Sequence, residues 1–357
     1  MTDVQDVQSE VERSAARSLL EVRDLIQEFV VQDLGGVRGG RLQAVAGVSF
    51  EVRASETLGL VGESGSGKST LARSLLQLPP PKSGEVVLDG VDLTKLGGRS
   101  LVRTRRAIQM VFQDPIGSLD VRWTVSQIIE EPLIAAGYGD RKARQARVEE
   151  VLRFVGLDPK MHGARKPRQL SGGQCQRVAI ARAIAVGPKL VICDEAVASL
   201  DVIIKAQILG LFRRLRAELG LSYLFIAHDL ALVRQVSDRV MVMYLGRICE
   251  VAPAAEIYTE PRHPYTVALL ASVLSPEPHA RERGVRRVIS GEVPSPLNPP
   301  SGCRFRTRCS RAAERCEVEV PELREVGKDH FVACHFPVEV KPERAGGPSK
   351  GASADGA

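Results

Sequence analysis

A glycine-rich segment at residues 62–69 has the residue types and spacing of a phosphate-binding loop. It reads Gly-Glu-Ser-Gly-Ser-Gly-Lys-Ser and satisfies the pattern G-x-x-x-x-G-K-S/T at every fixed position. Glycines let the backbone curl so that successive N–H groups point at phosphate oxygens, Lys68 adds positive charge, and the Ser69 hydroxyl is a ligand for Mg²⁺. The predicted nucleotide-binding residues of this loop are Gly62, Ser64, Gly65, Ser66, Gly67, Lys68, Ser69 and Thr70.

A pair of carboxylates follows a second apolar run. Residues 190–193 read Leu-Val-Ile-Cys, which is typical of a buried strand, and Asp194 and Glu195 come directly after them. Asp194 is placed to hold Mg²⁺, directly or through water, and Glu195 is placed to polarise the attacking water as general base. The pair could instead cap the next helix. The phosphate-binding loop upstream favours the catalytic interpretation.

A second anion-binding helix start is predicted at residues 170–174, which read Leu-Ser-Gly-Gly-Gln and are called the signature turn below. A helix N-terminus presents unpaired N–H groups and the positive end of the helix dipole, so it attracts phosphate. One nucleotide needs only one phosphate-binding loop, so this second site predicts contact with the nucleotide of another subunit. Its candidate residues are Ser171, Gly172, Gly173 and Gln174.

Short apolar segments alternate with helical patterns, which predicts an α/β fold with a parallel core sheet covered on both faces. The predicted core strands cover 57–61, 108–112, 190–193 and 223–227, and the predicted helices cover 125–136, 141–155, 172–185 and 202–219. Residues 44–52 and 85–88 alternate in polarity, which indicates a small antiparallel β subdomain.

Composition argues against two function classes. The 357 residues carry a net charge of +6 and only 4% aromatic residues, and the arginines are scattered, so the basic excess indicates a solvated surface and no nucleic-acid partner. No apolar run approaches the ~20 residues that span a bilayer. The polar segment 1–17 lacks the layout of a secretory signal. We therefore expect a cytosolic protein unless a partner holds it at a membrane.

Composition shifts divide the chain into four predicted regions. We expect a flexible arm at 1–18, a nucleotide-binding domain at 19–255, a loop-rich extension at 256–341 and a disordered tail at 342–357. Prolines interrupt any long helix in the extension. Gly, Ala, Ser and Pro dominate the tail.

In their order along the chain, these motifs resemble those of the ATPase subunits of ABC transporters. The resemblance covers residues 20–340. It implies a P-loop ABC ATPase cassette, in which a parallel core sheet flanked by helices adjoins an antiparallel β subdomain and a helical subdomain. It also implies ATP and Mg²⁺ as cofactors. Such subunits form head-to-tail dimers, in which each ATP lies between the phosphate-binding loop of one subunit and the signature turn of the other.

Further positions match the family's motifs. By resemblance, Gln113 senses Mg²⁺ and touches the membrane subunits, His228 lies near the γ-phosphate, and Asp201 of the segment Ser199 to Asp201 crosses the dimer interface. Phe29 matches the aromatic residue that stacks on adenine, with a strand aromatic packed in the core as an equal alternative. The implied catalytic residues are Glu195, His228 and Gln113, and the implied Mg²⁺ ligands are Ser69, Gln113 and Asp194.

Segments outside the catalytic motifs resemble the oligopeptide/dipeptide importers, and in particular the second of their two paired ATPases. These segments are 59–64, 112–115, 263–266 and 291–303. The resemblance implies a peripheral subunit at the cytoplasmic face of the membrane. Its partners would be a sister ATPase in a heterodimer, two transmembrane permeases and an extracytoplasmic solute-binding protein. ATP hydrolysis would power peptide import, with nickel or another small solute, or a soluble non-transport ATPase, as alternatives.

Four cysteines cluster late in the chain, at Cys303, Cys309, Cys316 and Cys334. Four thiolates suit a 4Fe–4S cluster, which related importer subunits can carry there. A structural zinc ion bound by three cysteines with His330 or His335, or four unligated thiols, are the alternatives. The surrounding arginines are expected to offset thiolate charge, and they are Arg304, Arg306, Arg308, Arg311 and Arg315.

Overall fold

The computed structural model describes residues 17–31, 40–198, 200–273 and 291–339. The arm and the tail predicted at the two ends therefore lie almost wholly outside the described residues. The β-strands are β1 (Ser18–Val31), β2 (Gly40–Arg53), β3 (Thr57–Val61), β4 (Ser83–Leu88), β5 (Val91–Asp92), β6 (Ile108–Val111), β7 (Leu190–Asp194), β8 (Ser222–Ile226), β9 (Arg239–Tyr244), β10 (Arg247–Pro253), β11 (Arg324–Gly327) and β12 (His330–Val332).

The strands form two sheets. The larger sheet has the order β11-β12-β10-β9-β3-β8-β7-β6, and the smaller one has the order β2-β1-β4-β5. Strands β6, β7, β8, β3 and β9 pair in parallel, whereas the smaller sheet is antiparallel. The predicted parallel core sheet and the antiparallel β subdomain are both confirmed.

The C-terminal extension adds strands to the larger sheet. Strand β10 pairs antiparallel with β9 and with β12, and β12 pairs antiparallel with β11. Within the extension, residues 324–332 add a short hairpin that the sequence did not predict. Strand β12 has only three residues and every residue of β11 is exposed, so neither carries the apolar periodicity that identifies a strand.

The α-helices of the described residues are α1 (Lys68–Leu75), α2 (Gly98–Thr104), α3 (Val125–Ala135), α4 (Arg141–Phe154), α5 (Pro159–His162), α6 (Gly172–Ile184), α7 (Val202–Leu219), α8 (Leu230–Val236), α9 (Ala254–Thr259), α10 (Pro264–Val273) and α11 (Arg315–Val318). Within these ranges, no helix has the length and apolar character that a bilayer crossing requires.

Side-chain caps determine where the longer helices begin. Thr124, Asp140, Ser171 and Asp201 each accept a hydrogen bond from a backbone N–H at the start of α3, α4, α6 and α7 respectively. Helix α7 ends at Leu219 and is capped by Gly220, whose φ of 64° lies in the left-handed region that favours glycine. These four helices begin at the residues that the sequence predicted.

Two apolar clusters cover opposite faces of the core sheet. Alternate strand side chains point to opposite faces, so Val191 and Cys193 of β7 join one cluster while Leu190 and Ile192 join the other. The first cluster includes buried residues of α3, α4, α6 and α7. The second includes buried residues of α1 and of the antiparallel sheet. Both faces of the core sheet are therefore covered.

Candidate nucleotide site

The predicted site residues follow the carboxyl ends of four parallel strands. The phosphate-binding loop follows β3, Gln113 follows β6, Glu195 follows β7 and His228 follows β8. Parallel strands end at the same edge of a sheet, where open α/β folds form their ligand sites. The sheet therefore gathers residues that lie far apart in the sequence.

Close backbone contacts require two of the loop glycines. Gly62 has a φ of 155°, and a Cβ atom there would lie 2.1 Å from the Met243 carbonyl oxygen. Gly67 has a φ of 104°, and a Cβ atom there would lie 2.2 Å from the Ala44 carbonyl oxygen. Because both neighbours are backbone atoms, neither position accommodates a side chain. The loop is therefore shaped by its packing against β2 and β9.

Lys68 is buried inside the loop. Its Nζ donates to the carbonyl oxygens of Gly62 at 2.8 Å and of Glu63 at 2.9 Å. Burial lowers the pKa of Lys68, and the carboxylates of Glu195 and Asp194 act in the opposite direction. The lysine is therefore hydrogen-bonded to the start of the loop and lies within the electrostatic influence of the acidic pair.

Ser69 and Asp194 form a hydroxyl–carboxylate pair. Ser69 Oγ donates to Asp194 Oδ1 at 3.0 Å. Burial raises the pKa of Asp194, although the Ser69 hydrogen bond and the charges of Arg73 and Lys68 oppose that shift. A carboxylate disfavoured by burial is stabilised when a cation binds, and hydroxyl and carboxylate oxygens are ligands that Mg²⁺ accepts. These residues fit the predicted magnesium site.

Glu195 lies between two other predicted catalytic residues. Its Oε2 accepts a hydrogen bond from Gln113 Nε2 at 2.8 Å, and its Oε1 lies 3.8 Å from His228 Nδ1. Glu195 has a φ of 48°, which is unusual for a residue with a side chain. Its N–H donates to the Ile226 carbonyl at 3.0 Å. The backbone is thus held in a strained conformation of the kind that is common at functional sites.

The signature turn lies elsewhere. Ser171 and Gln174 form a capping box, with Gln174 N–H to Ser171 Oγ at 3.3 Å and Ser171 N–H to Gln174 Oε1 at 3.0 Å. A Cβ atom on Gly173 would lie 2.8 Å from Ile204 Cγ2, so the turn packs against the start of α7. Across the part of the chain that the structure describes, no hydrogen bond or ion pair joins the turn to the phosphate-binding loop.

Two further predicted residues lie at the surface. Phe29 faces Leu42 across the β1–β2 pair and is 36% exposed, so it is not a core aromatic. Asp201 is exposed, and its carboxylate accepts the Ile204 N–H at 2.9 Å. Ser199, of the same predicted segment, lies outside the described residues. The structure does not bring Phe29 or Asp201 into contact with Glu195.

Sequence reasoning missed a contact between the extension and the phosphate-binding loop. Arg308 forms an ion pair with Glu63, and the Tyr265 hydroxyl accepts the Glu63 N–H. No local signal could have identified these partners, because they lie 245 and 202 positions from Glu63. Glu63 occupies a variable position of the loop motif, and both of these partners lie in the extension.

The four clustered cysteines line one small cavity. Its volume is about 10 Å³, which is at the lower limit for a single water molecule. Burial raises the pKa of Cys303 and Cys309, and it raises the pKa of Cys334 to about 11, so these thiols favour their protonated forms. Throughout the described ranges, no group of three or more His, Cys, Asp or Glu residues could hold a metal ion. The expected 4Fe–4S cluster is therefore not supported by this arrangement of the described residues.

The residues expected to assist a metal have other partners. His330 binds Glu250 and Glu256, and His335 Nε2 lies 3.1 Å from the Glu319 carbonyl oxygen. Arg306 donates to Ser301, Arg308 to Glu63 and Arg315 to Glu319, while Arg304 donates to Gln43 and the Leu245 carbonyl. The backbone N–H of Arg311 donates to Cys309 Sγ at 3.4 Å, and a backbone hydrogen bond from Arg306 acts to lower the pKa of Cys303. Of the five arginines, Arg306 and Arg311 line the same cavity as the four cysteines, and the expectation that the arginines offset thiolate charge stays a prediction.

The fold and the site together define a class of protein. A phosphate-binding loop, a hydroxyl–carboxylate pair and a glutamate with amide and imidazole neighbours lie at one edge of a parallel sheet. A separate exposed helix start carries the signature turn. This combination defines an ATP-binding cassette that hydrolyses its nucleotide.

Comparisons with known proteins identify the family. The sequence matches the ABC transporter family over residues 45–198 and the C-terminal region of the oligopeptide/dipeptide transporter family over residues 249–316. It is 47% identical over 319 residues to YkfD, a putative oligopeptide transport ATP-binding protein of Bacillus subtilis. That alignment covers 89% of this chain and 95% of YkfD. It is 45% identical over 320 residues to OppF, an oligopeptide transport ATP-binding protein of Haemophilus influenzae, which covers 88% of this chain and 96% of that protein.

Solved structures of ABC transporter cassettes have a similar fold. One is a dimeric ATP-binding cassette in a post-hydrolysis state bound to ADP and Pi, with a TM-score of 0.58, 29% identity, and coverage of 66% of this chain and 98% of that chain. Another is a component of the ABC transporter complex cbiONQ from Clostridium perfringens, with a TM-score of 0.59, 27% identity, and coverage of 68% and 91%. The chain belongs to the ATP-binding subunits of ABC transporters, within their oligopeptide transport branch, and it is an ATPase.

Proposed function

We propose that this chain hydrolyses ATP to drive the import of peptides through membrane permeases. The observation that carries the proposal is the convergence of Lys68, the Ser69–Asp194 pair and Glu195 at one edge of the core sheet. The chemistry of these groups suits phosphoryl transfer to water. The peptide assignment rests on the names of the relatives and on the match of residues 249–316.

Each site residue has a proposed role. Lys68 and the loop N–H groups bind the β- and γ-phosphates of ATP, while Ser69, Asp194 and Gln113 hold Mg²⁺. The bound ion supplies positive charge that neutralises the phosphate oxygens. Glu195 accepts a proton from the attacking water, since its carboxylate is oriented by Gln113, which donates to it at 2.8 Å. His228 is proposed to contact the γ-phosphate region.

We propose that the signature turn binds the ATP of a sister ATPase in a heterodimer. Ser171 and Gly172 are exposed, and the turn packs against the start of α7. Val202 and Ile203 on α7 are 82% and 71% exposed, and apolar side chains this exposed suit a partner surface. Phe29, which is also exposed, is proposed to stack on adenine. Asp201 is proposed to lie at the dimer interface.

The proposed assembly also contains two transmembrane permeases and an extracytoplasmic solute-binding protein. The chain would bind as a peripheral subunit at the cytoplasmic face of the membrane. Its family provides the support for this placement, because subunits of ABC transporters act on membrane partners. Peptide specificity would reside mainly in those partners.

The substitution Glu195→Gln tests the catalytic assignment. It keeps the size of the side chain and removes the base, so we expect ATP hydrolysis to fall at least ~100-fold, as is usual when a general base is removed, with ATP binding retained. ATPase turnover and peptide uptake into vesicles that contain the permeases are the measurements. Glu149→Gln makes the same chemical change on the exposed face of α4 and should change neither. Full turnover by the Glu195→Gln variant would contradict the proposal.

We also propose that the four clustered cysteines bind a 4Fe–4S cluster that orders the extension. The donor set, four thiols around one cavity, supports this proposal. Binding would require the thiols to lose their protons. Anaerobically purified protein should then contain about four iron and four acid-labile sulfide atoms per chain, the content of such a cluster. Protein free of iron would refute this assignment.

A further inference from the structure

Two residues of the C-terminal extension hold Glu63, the second residue of the phosphate-binding loop. The Arg308 guanidinium donates twice to the Glu63 carboxylate, from Nη1 to Oε2 at 2.7 Å and from Nη2 to Oε1 at 3.1 Å. The Glu63 N–H donates to the Tyr265 hydroxyl at 2.9 Å. The extension thus fixes both the side chain and the backbone of this residue. We call Tyr265 and Arg308 the Glu63 clamp.

The surroundings of the clamp leave it little freedom. The Arg308 side chain is only 6% exposed, and its guanidinium lies 5.7 Å from the centre of the Tyr244 ring. Tyr265 is fully buried, with ring centres 4.8 Å from Tyr244 and 5.3 Å from Phe305. Burial by itself lowers the pKa of Arg308, but hydrogen bonds to Glu63 and Tyr244 outweigh it and the pKa is raised. The clamp is therefore rigid and permanently charged.

The clamp connects directly to the lysine of the phosphate site. The same residue, Glu63, accepts a hydrogen bond from Lys68 Nζ on its carbonyl oxygen at 2.9 Å. Arg308 and Tyr265 hold the side chain and N–H of Glu63, so they also determine where this carbonyl points. A continuous series of contacts therefore runs from the extension through Glu63 to Lys68.

We propose that Arg308, acting through Glu63, is a positioning residue for ATP binding, so that the extension sets the affinity of the phosphate-binding loop for ATP. Arg308 contacts the Glu63 carboxylate and Tyr265 contacts the Glu63 N–H, so both act through Glu63. The inference rests on the proposed function, because it assigns Lys68 and its loop to ATP. It gives the extension a role in the ATPase cycle that does not depend on a metal at the cysteines.

The matched pair Arg308→Met and Glu63→Gln tests the clamp. Each variant keeps side-chain volume and removes one end of the ion pair. We expect each to raise KM for Mg·ATP about tenfold, the lower range for losing a hydrogen bond to a charged group, with a smaller change in kcat. Arg308→Lys keeps one charge and one donor and should recover part of the loss. The double variant should be no worse than the worse single variant, because both changes remove the same interaction.

Two controls separate positioning from folding. Arg306→Gln alters an arginine of the same turn that bonds within the extension, to Ser301, and should leave KM unchanged. Thermal unfolding of every variant should start above the assay temperature. A fluorescent ATP analogue should bind the Arg308→Met variant about tenfold more weakly if the clamp acts on affinity.

The outcomes are distinguishable. A wild-type KM for Mg·ATP in a folded Arg308→Met variant would overturn the clamp. So would a double variant in which the changes in KM caused by Arg308→Met and Glu63→Gln are additive. An equal rise in KM for Mg·ATP in the Arg306→Gln variant would also overturn the clamp. The effect would then belong to the extension in general. An unmutated chain that neither binds nor hydrolyses ATP would instead overturn the proposed function.

Discussion

The residue behind the clamp is a histidine that the fold keeps neutral. His263 is buried, its Nδ1 accepts the Tyr265 N–H at 3.0 Å, and its ring centre lies 5.9 Å from that of Phe305. Burial lowers the pKa of His263 to about 4, and the nearby charge of Glu250 only partly opposes this shift. The histidine therefore supports Tyr265 only in its uncharged form.

This shift predicts a pH-dependent contribution to stability. Below its ordinary pKa of 6.5, His263 takes up a proton in the unfolded chain but not in the folded chain until about pH 4, so stability falls as pH decreases through this window. The resulting loss in the free energy of unfolding reaches about 3 kcal/mol at its largest. His263→Asn keeps an acceptor for Tyr265 and does not titrate. In urea unfolding, the free energy of unfolding of the wild type should exceed that of the variant by less at pH 4.5 than at pH 7. An equal difference at the two pH values would contradict the assignment.

At the scale of elements, a short hairpin is attached to the core sheet by a buried carboxylate. Glu250 on β10 is fully buried, and its oxygens lie 2.7 Å from His330 Nε2 on β12 and accept the N–H groups of Arg262 at 2.6 Å and His263 at 2.9 Å. Buried carboxylates require such partners. The three-residue strand β12 is therefore held as much by side chains as by its ladder, and it covers the edge that β10 would otherwise expose.

The sheet also decides which elements reach the nucleotide site. Strands β3, β6, β7 and β8 were predicted from apolar runs, and each delivers a site residue at its carboxyl end. The antiparallel sheet supplies the carbonyl of Ala44 that limits Gly67. The location of the site therefore follows from parallel pairing, whereas its shape depends on the neighbouring sheet.

At the scale of the whole molecule, the chain carries two predicted anion-binding features in different places. Lys68 is buried within the loop, whereas Ser171 and Gly172 face solvent beside the exposed Val202 and Ile203. Among the described residues, no hydrogen bond joins the two features. An assembly in which the signature turn meets the ATP of a sister subunit would use both.

Gly172→Asp tests this assembly. A Cβ atom there has only Leu200 Cδ2 nearby, at 4.0 Å, so the fold accommodates the substitution. The added carboxylate would face the γ-phosphate held by the sister subunit, and a like-charge contact of this kind costs several kcal/mol, so we expect hydrolysis by the assembled pair to fall more than ~100-fold. ATP binding to the isolated chain should be unchanged. Normal hydrolysis by the assembled pair would contradict the composite site.

Much of the site was predictable from local sequence. The phosphate-binding loop, the Asp194–Glu195 pair and the starts of α3, α4, α6 and α7 were located because glycine spacing and side-chain caps act within a few residues. Strands β11 and β12 were missed because they are short and β11 is exposed. The four cysteines line one cavity, as their clustering in the sequence suggested, but the group they hold stays a prediction, since spacing along the chain does not identify a ligand.

The sequence by itself determined the family of this protein, and it predicted a loop for phosphate, a carboxylate pair for metal and water, and a second helix start for another nucleotide. Only the tertiary structure decided that Glu63 pairs with Arg308, 245 positions away, and that the extension joins the core sheet. The physical reason is range. Turns, caps and loops are governed by neighbouring residues, whereas ion pairs and sheet edges depend on which distant segments the core brings together.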